Sequence, residues 1–247
     1  ELGGRPGSIR LHARDDNSGT FDTFRSLVLG DLPLAGAAAR YESTDELSGQ
    51  VSVDTNAIGF VGLAGVRRNK ALRIRDGDAP ALAPTPFNVA TEDYALARRL
   101  FLYVRADASA AARALLAFAQ SDAAQPIVQE AGFVSMVPEA QVVQPRADAP
   151  TEFLALTDGA QRISLSFRFG SGQVFLDSRA ERDLDRLASW LRAPGRQGLE
   201  VILAGFAEPA EFSPIVSIGH STDRADIIAQ ELVQRQVRVR YVRGYGA

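Results

Sequence analysis

The sequence predicts an α/β lobe followed by a smaller β-α-β-α-β domain of α+β character, on three observations. Continuous apolar runs at residues 58–66 (IGFVGLAGV) and 100–104 (LFLYV) have the composition of parallel strands buried on both faces. Strong helix formers fill residues 109–119 (SAAARALLAFA) between polar ends, so strand and helix text alternate. Beyond residue 161 the pattern becomes a strict period of two, RISLSFRF, which marks a strand with one buried face.

The elements follow in order. Residues 14–20, RDDNSGT, run straight into FDTFRSLVLG, so small polar residues open an amphipathic helix. The two apolar runs supply strands, Ser109 starts a helix, and Ser121 is placed to cap a second one that stops at Gly132. Residues 138–161 carry three prolines and no sustained period, which reads as a linker or loose connecting segment. The domains are therefore expected at 1–138 and 162–247, with a linker at 139–161. In the second, Ile163, Leu165, Phe167 and Phe169 alternate with polar residues. Ser178 and Glu181 form a capping box for a helix that lines up Ala180, Leu184, Leu187, Ala188 and Leu191 before Pro194-Gly195 ends it. Residues 199–204 (LEVILA) make a strand, a polar loop runs to His220, Thr222 opens a helix with Ala225, Ile228, Ala229 and Leu232 inward, and residues 237–243 close the domain as a strand.

Composition narrows the function. The 247 residues are 46% hydrophobic and 23% charged with a formal charge of −3, which is globular and offers no general attraction to nucleic acid or an anionic membrane. There is no cysteine, so disulfides and thiolate metal sites are excluded. No apolar stretch reaches the 18 or so residues that a membrane span needs. The chain starts at Glu1 with neither a methionine nor a signal-peptide pattern, and is expected to be processed or cut from a longer gene. His12 and His220 lack metal-ligand spacing and are expected on the surface or in loops, and no metal or other cofactor is expected. Gly59, Gly62 and Gly65 fit neither dinucleotide nor Walker spacing, and the Gly-Ser-Gly at 170–172 lacks the rest of a nucleophile elbow. No base and nucleophile pair stands out, and the chain is not expected to be an enzyme.

The RDDNSGT stretch points to an oxyanion. A helix N-terminus presents unpaired N–H groups and the positive end of the dipole. Gly19 permits close backbone approach, Ser18 and Thr20 add hydroxyls, and Arg14 supplies a permanently charged fork. Asp16 opposes an anion unless it salt-links Arg14 and fixes the guanidinium. The plain alternative is that Ser18 only caps the helix.

RDDNSGTFDTF, with TNAIGFVGLA at 55–64 and ATEDYALARRLFLYV at 90–104, resembles the phosphate-binding solute receptors of ABC import systems, the PstS-like proteins. The resemblance covers 1–138 and implies a periplasmic-binding-protein-like lobe in which Arg14 pairs with phosphate, Asp16 orients Arg14, and Ser18, Gly19 and Thr20 donate hydroxyl and backbone N–H bonds. It also implies a first lobe, supplying an aspartate that accepts the proton of hydrogen phosphate, before the motif. Only 13 residues precede Arg14, so that lobe is expected to be mostly absent, the chain a fragment of a longer protein, and the segment after Tyr103 without its partner. Half the contacts of a micromolar site, about −8 kcal/mol, would leave about −4, or millimolar affinity.

Residues 162–247 resemble the OmpA-like peptidoglycan-binding domain through FGSGQVFLDS, the helix to LASWL, AGFAEP where the family favours Gly-His-Thr-Asp, HSTDRADIIAQEL, and the closing GYG. The resemblance implies that an acid and an arginine clamp the diaminopimelate of the peptidoglycan stem peptide. The arginine falls on Arg224, the acid on Glu208 in place of Asp, and the usual Asn on Ser217. A surface ion pair of Arg224 with Glu208 or Asp223 is the alternative. Together these imply a phosphate or similar oxyanion-binding protein, tethered to the wall in the periplasm of a Gram-negative envelope, with an ABC importer as partner. The rival is a structural or adaptor protein of the envelope with a degenerate ligand site.

Overall fold

A computed structural model describes residues 7–146, 148–170, 173, 175–207 and 213–246, apart from the Ser178 side chain. The chain divides into two compact units, Glu1–Met136 and Val137–Ala247.

The first unit is built on a parallel sheet in the order β2-β1-β3, with β1 at Arg10–Arg14, β2 at Ala39–Tyr41 and β3 at Ala57–Gly59. Helix α1 (Gly19–Phe24) follows β1 and runs on as a π-helical turn, Arg25–Leu29, which Gly30 ends at φ 58°. Helix α2 (Thr44–Ser52) follows β2, capped by the Ser43 hydroxyl, which accepts from the Glu46 N–H. The chain thus leaves β1 towards one neighbour and returns to the other side, so the carboxyl ends of β1 and β3 flank a topological switch point, where open α/β sheets place their ligands. Ala13, Phe21 and Leu47 are buried, and Phe24 stacks on Phe60 with centroids 4.0 Å apart and planes within 3°. Three further helices, α3 (Pro86–Ala90), α4 (Ala110–Gln120) and α5 (Gln125–Glu130), complete the unit.

Two expected strands differ. The run at 58–66 is a strand only to Gly59, because the chain then turns into a 3₁₀ turn, Leu63–Gly65, where the Gly65 carbonyl accepts from Ser48 in α2 and a Cβ at 65 would meet Thr44. Residues 100–104 form no strand, and all five side chains are exposed, Tyr103 at 89%. A strand needs a ladder partner, and these residues have none among those described. The Ser109 cap is as expected, accepting from the Ala112 N–H. The Ser121 hydroxyl instead donates back to the Phe118 carbonyl, and a 3₁₀ turn at Asp122–Ala124 leads into α5, which is followed by Gly132 at φ 81°.

The second unit begins at Val137 and takes in the whole of the expected linker. Strand β4 (Ala140–Gln141) pairs antiparallel with β5 (Arg162–Ile163), and α6 (Thr151–Thr157) places Phe153 edge-on to Phe206 and Tyr245. The prolines interrupt this segment without detaching it. Beyond Ile163 the ladder stops, yet Leu165, Phe167 and Phe169 still pack on the core, so the alternation marks the buried face correctly and overstates the strand. Helix α7 (Ser178–Arg192) is capped by Asp177, whose carboxylate accepts from the Arg179 and Ala180 N–H groups, one residue ahead of the expected Ser178. Strand β6 (Val201–Gly205) pairs parallel with β7 (Val239–Gly244). Helix α8 (Pro214–Gln234) begins eight residues before the expected start at Thr222, because Pro214 at its first position is preset for helix. Thr222 lies inside it, donating its hydroxyl to the Ile218 carbonyl. Leu184, Leu187, Ala188, Ile228, Leu232 and Val237 form the core. Helix and sheet touch closely at Gly205 and Gly244, where a Cβ would fall on Ser221 and Thr222.

Candidate functional site

Arg14 is the last residue of β1, Asp16 lies in the turn that follows, and Ser18, Gly19 and Thr20 open α1. Ser18 is buried, and its oxygen accepts from the Thr20 N–H while its carbonyl accepts from Asp22, which makes it the N-cap of α1. Helix geometry leaves the N–H groups of Gly19 and Phe21 without a partner inside the helix. Gly19 is exposed.

Arg14 ends β1 and turns toward the start of α2. Its Nε donates to the Tyr41 carbonyl at 3.3 Å, Nη1 to Thr44 Oγ1 at 2.6 Å and Nη2 to the Glu42 carbonyl at 2.7 Å. Three of its five N–H groups are thereby engaged, all with uncharged acceptors, and two remain. Asp16 was expected to pair with Arg14. In the structure its Oδ1 lies 2.8 Å from Nη1 of Arg40, a β2 residue whose guanidinium also sits 4.8 Å above the Phe21 ring. Arg98 supplies another cation at α1, its Nη1 donating to the Gly19 carbonyl at 2.5 Å and to Thr23 Oγ1 at 2.8 Å. The turn carrying Arg98 is held by a two-pronged bond from Arg99 to Glu92, the latter at φ 60°. Arg40 lies outside the quoted stretches and Arg98 within ATEDYALARRLFLYV, 78 residues beyond Thr20; strand register and the Glu92 turn bring them here.

His12, expected in a loop or on the surface, is a partly buried strand residue stacked on Tyr41, with its Nδ1 3.0 Å from the tyrosine hydroxyl. At the sheet's amino end, Arg10 forms a two-pronged pair with Asp54, holding that carboxyl down to about 2, with the Asn56 N–H adding to the effect.

In the second unit Arg224 and Ser217 lie on α8, both buried. Arg224 donates from Nε to the Gln173 carbonyl and from Nη2 to the Gly170 carbonyl, both at 3.2 Å, and its guanidinium lies 5.5 Å from the Phe169 ring centroid. Glu208 lies outside the described residues, as do Ser171 and Gly172 of the Gly-Ser-Gly. His220, expected in a loop, belongs to α8. Phe153, Phe206 and Tyr245 pack together, and burial pushes the Tyr245 hydroxyl up, with Arg243 opposing.

Residues 2–123 match the PBP superfamily domain. The chain is also 31% identical over 135 residues to Protein SphX of Synechococcus elongatus, an alignment covering 52% of this chain and 40% of that protein. Among solved structures, an ABC-type phosphate transport receptor from Vibrio cholerae aligns with 27% identity and a TM-score of 0.45 over 54% of this chain and 55% of the receptor. PstS from Borrelia burgdorferi aligns with 21% identity and a TM-score of 0.38 over the same shares. The chain therefore spans about half the length, or less, of the proteins that it matches.

Proposed function

We propose that the PBP-like unit binds phosphate or a similar oxyanion at the carboxyl end of β1. The observation that carries this reading is the Ser18-capped first turn of α1, with exposed Gly19 and the Arg14 guanidinium at one strand end. Backbone N–H groups and the helix dipole supply directed donors there, and Arg14 keeps two N–H groups for an oxygen pair. Calorimetric titration with phosphate and sulfate, beside Arg14→Ala, tests it. Heat from phosphate that Arg14→Ala abolishes supports the reading. The engagement of Arg14 by Tyr41, Glu42 and Thr44 favours the rival, an envelope adaptor with a degenerate site, and no heat from either anion would select it.

The second unit is, in this proposal, an OmpA-like wall anchor in the periplasm of a Gram-negative cell, with Arg224, Ser217 and Glu208 meeting the diaminopimelate of the stem peptide. An ABC importer is the partner proposed for the first unit. The resemblance of residues 162–247 supports the anchor, and its test is sedimentation with intact peptidoglycan. Wild type should pellet while Glu208→Gln and a folded Arg224→Ala stay in the supernatant, and equal pelleting of all three would sink the assignment.

A further inference from the structure

We infer that the basic stretch RRNKALRIR, residues 67–75, with the apolar edge beside it, is a docking surface for an anionic phospholipid bilayer. None of these residues belongs to the oxyanion site, so the inference stands apart from that reading.

The chain carries a net charge of −3, yet five of its cations fall within these nine residues: Arg67, Arg68, Lys70, Arg73 and Arg75. Any attraction to an anionic surface is therefore local, and all five side chains are exposed. Asp45 pairs with Arg67 at 2.5 Å, and Asp78 lies 3.9 Å from Arg75, which also donates from Nε to the Gly77 carbonyl at 3.1 Å. Arg68, Lys70 and Arg73 make no ion pair among the described residues. Asp76 is the remaining acid of the turn, so five cations face three nearby carboxylates and the excess is positive.

The stretch is held in place. Arg67 sits at φ 48°, a conformation that a residue with a Cβ keeps only where its surroundings fix it. The fixing comes from Asn69, whose Nδ2 donates to the Ser48 carbonyl at 3.0 Å and to Ser48 Oγ at 3.2 Å, while the buried Ser48 donates to the Gly65 carbonyl. Further on, Ile74 forms an antiparallel bridge with Leu82. Ala71, Arg73 and Arg75 are exposed and alternate with the half-buried Leu72 and Ile74, so Arg73 and Arg75 share the outer face.

The apolar edge selects the partner. Gly132 lies against Ala64, where a Cβ would fall on the alanine, and this brings the exposed Phe133 beside the exposed Leu63, at the turn that leads into Arg67. A nucleic acid would use the cations and leave these two side chains in water. A bilayer surface takes both, with headgroup phosphates on the guanidinium and ammonium groups and the acyl boundary on the apolar side chains.

The experiment is flotation of the whole chain with vesicles of phosphatidylcholine alone, or mixed with phosphatidylglycerol, at low and moderate salt. The proteins are wild type, the triple variant Arg68→Gln/Lys70→Gln/Arg73→Gln, Phe133→Ser, and a control that removes as much charge elsewhere, Arg105→Gln/Arg113→Gln/Arg146→Gln. Wild type should float with the phosphatidylglycerol vesicles and not with phosphatidylcholine alone, and less as salt rises. The triple variant should lose about fivefold in partitioning for each cation, or on the order of a hundredfold, while the control changes by less than about fivefold. Phe133→Ser should weaken flotation several-fold. Lys70 is the only lysine, so its acylation, followed by mass spectrometry, should slow when the vesicles are present. No flotation of wild type, equal flotation with both vesicle types, equal losses in the triple variant and the control, or unprotected Lys70 would each overturn the inference. Unchanged flotation of Phe133→Ser, with duplex DNA displacing the vesicles, would show a general polyanion surface and overturn the lipid assignment.

Discussion

Gly205 and Gly219 lie against or within the same helix, and alanine should act oppositely at the two. At Gly205, in β6, an added Cβ would land on the Ser221 carbonyl and come within 3.2 Å of the Ala225 Cβ. The carbonyl belongs to the backbone of α8, so relief requires moving a 21-residue helix that contributes Ile228 and Leu232 to the core. Overpacking of this kind costs about 3 kcal/mol, the upper part of the usual range, because backbone and not a side-chain end must give way. At Gly219, inside α8 and exposed, an added Cβ meets nothing within 4 Å. Relief of glycine's backbone entropy there should add about 0.5–1 kcal/mol. The only tryptophan, Trp190, sits on α7 against the core of the second unit, so its fluorescence in urea follows that unit alone. With an m-value of about 1.5 kcal/mol per M, Gly205→Ala should lower the midpoint by about 2 M and Gly219→Ala raise it by about 0.5 M. A Gly205→Ala midpoint within about 0.3 M of wild type would refute the close contact of β6 and α8.

Three further outcomes are expected. Asp183 is a buried carboxylate between Arg179 Nε at 3.1 Å and Arg186 Nη1 at 2.7 Å, so Asp183→Ala should cost the second unit about 3 kcal/mol by urea denaturation, since the carboxylate balances guanidinium charge with little access to water. The Asp54 carboxyl is held at about 2, below its ordinary 3.8, so the stability gained from its pairing with Arg10 is present above that ordinary value and lost as pH falls through about 2. Carboxyl-detected NMR should place its titration there, and Arg10→Ala should move it up. Ser18→Ala removes the α1 cap and should cost the first unit about 1 kcal/mol in thermal unfolding followed by circular dichroism, with weaker phosphate binding beside it.

What the sequence revealed, and what it hid, divides along the range of the interactions. Ser109, the alternating face of residues 163–169 and the inward stripe of α7 were legible because caps and periods are local. So was the RDDNSGT turn, whose Ser18 cap lies within two residues of its acceptor bond. The run at 100–104 misled because apolar composition cannot say whether a ladder exists, and among the described residues none does. The start of α8 was hidden by residues 214–221, whose serines, glycine and histidine read as a loop although proline at the first position favours a helix. Arg40 and Arg98 were beyond reach, because the first arrives through strand register and the second through a turn with Glu92 in the left-handed region. For the same reason the Arg14–Asp16 pairing that proximity suggests gave way to Arg40–Asp16.

The most direct test of the oxyanion site is an amide NMR titration of the chain with inorganic phosphate, following the Gly19, Thr20 and Phe21 signals, beside Arg14→Ala. This registers weak binding as well as tight. The account predicts saturable shifts confined to the start of α1 and the residues around Arg14, absent in Arg14→Ala. Flat Gly19 and Phe21 signals up to tens of millimolar phosphate, or equal shifts in the variant, would contradict it.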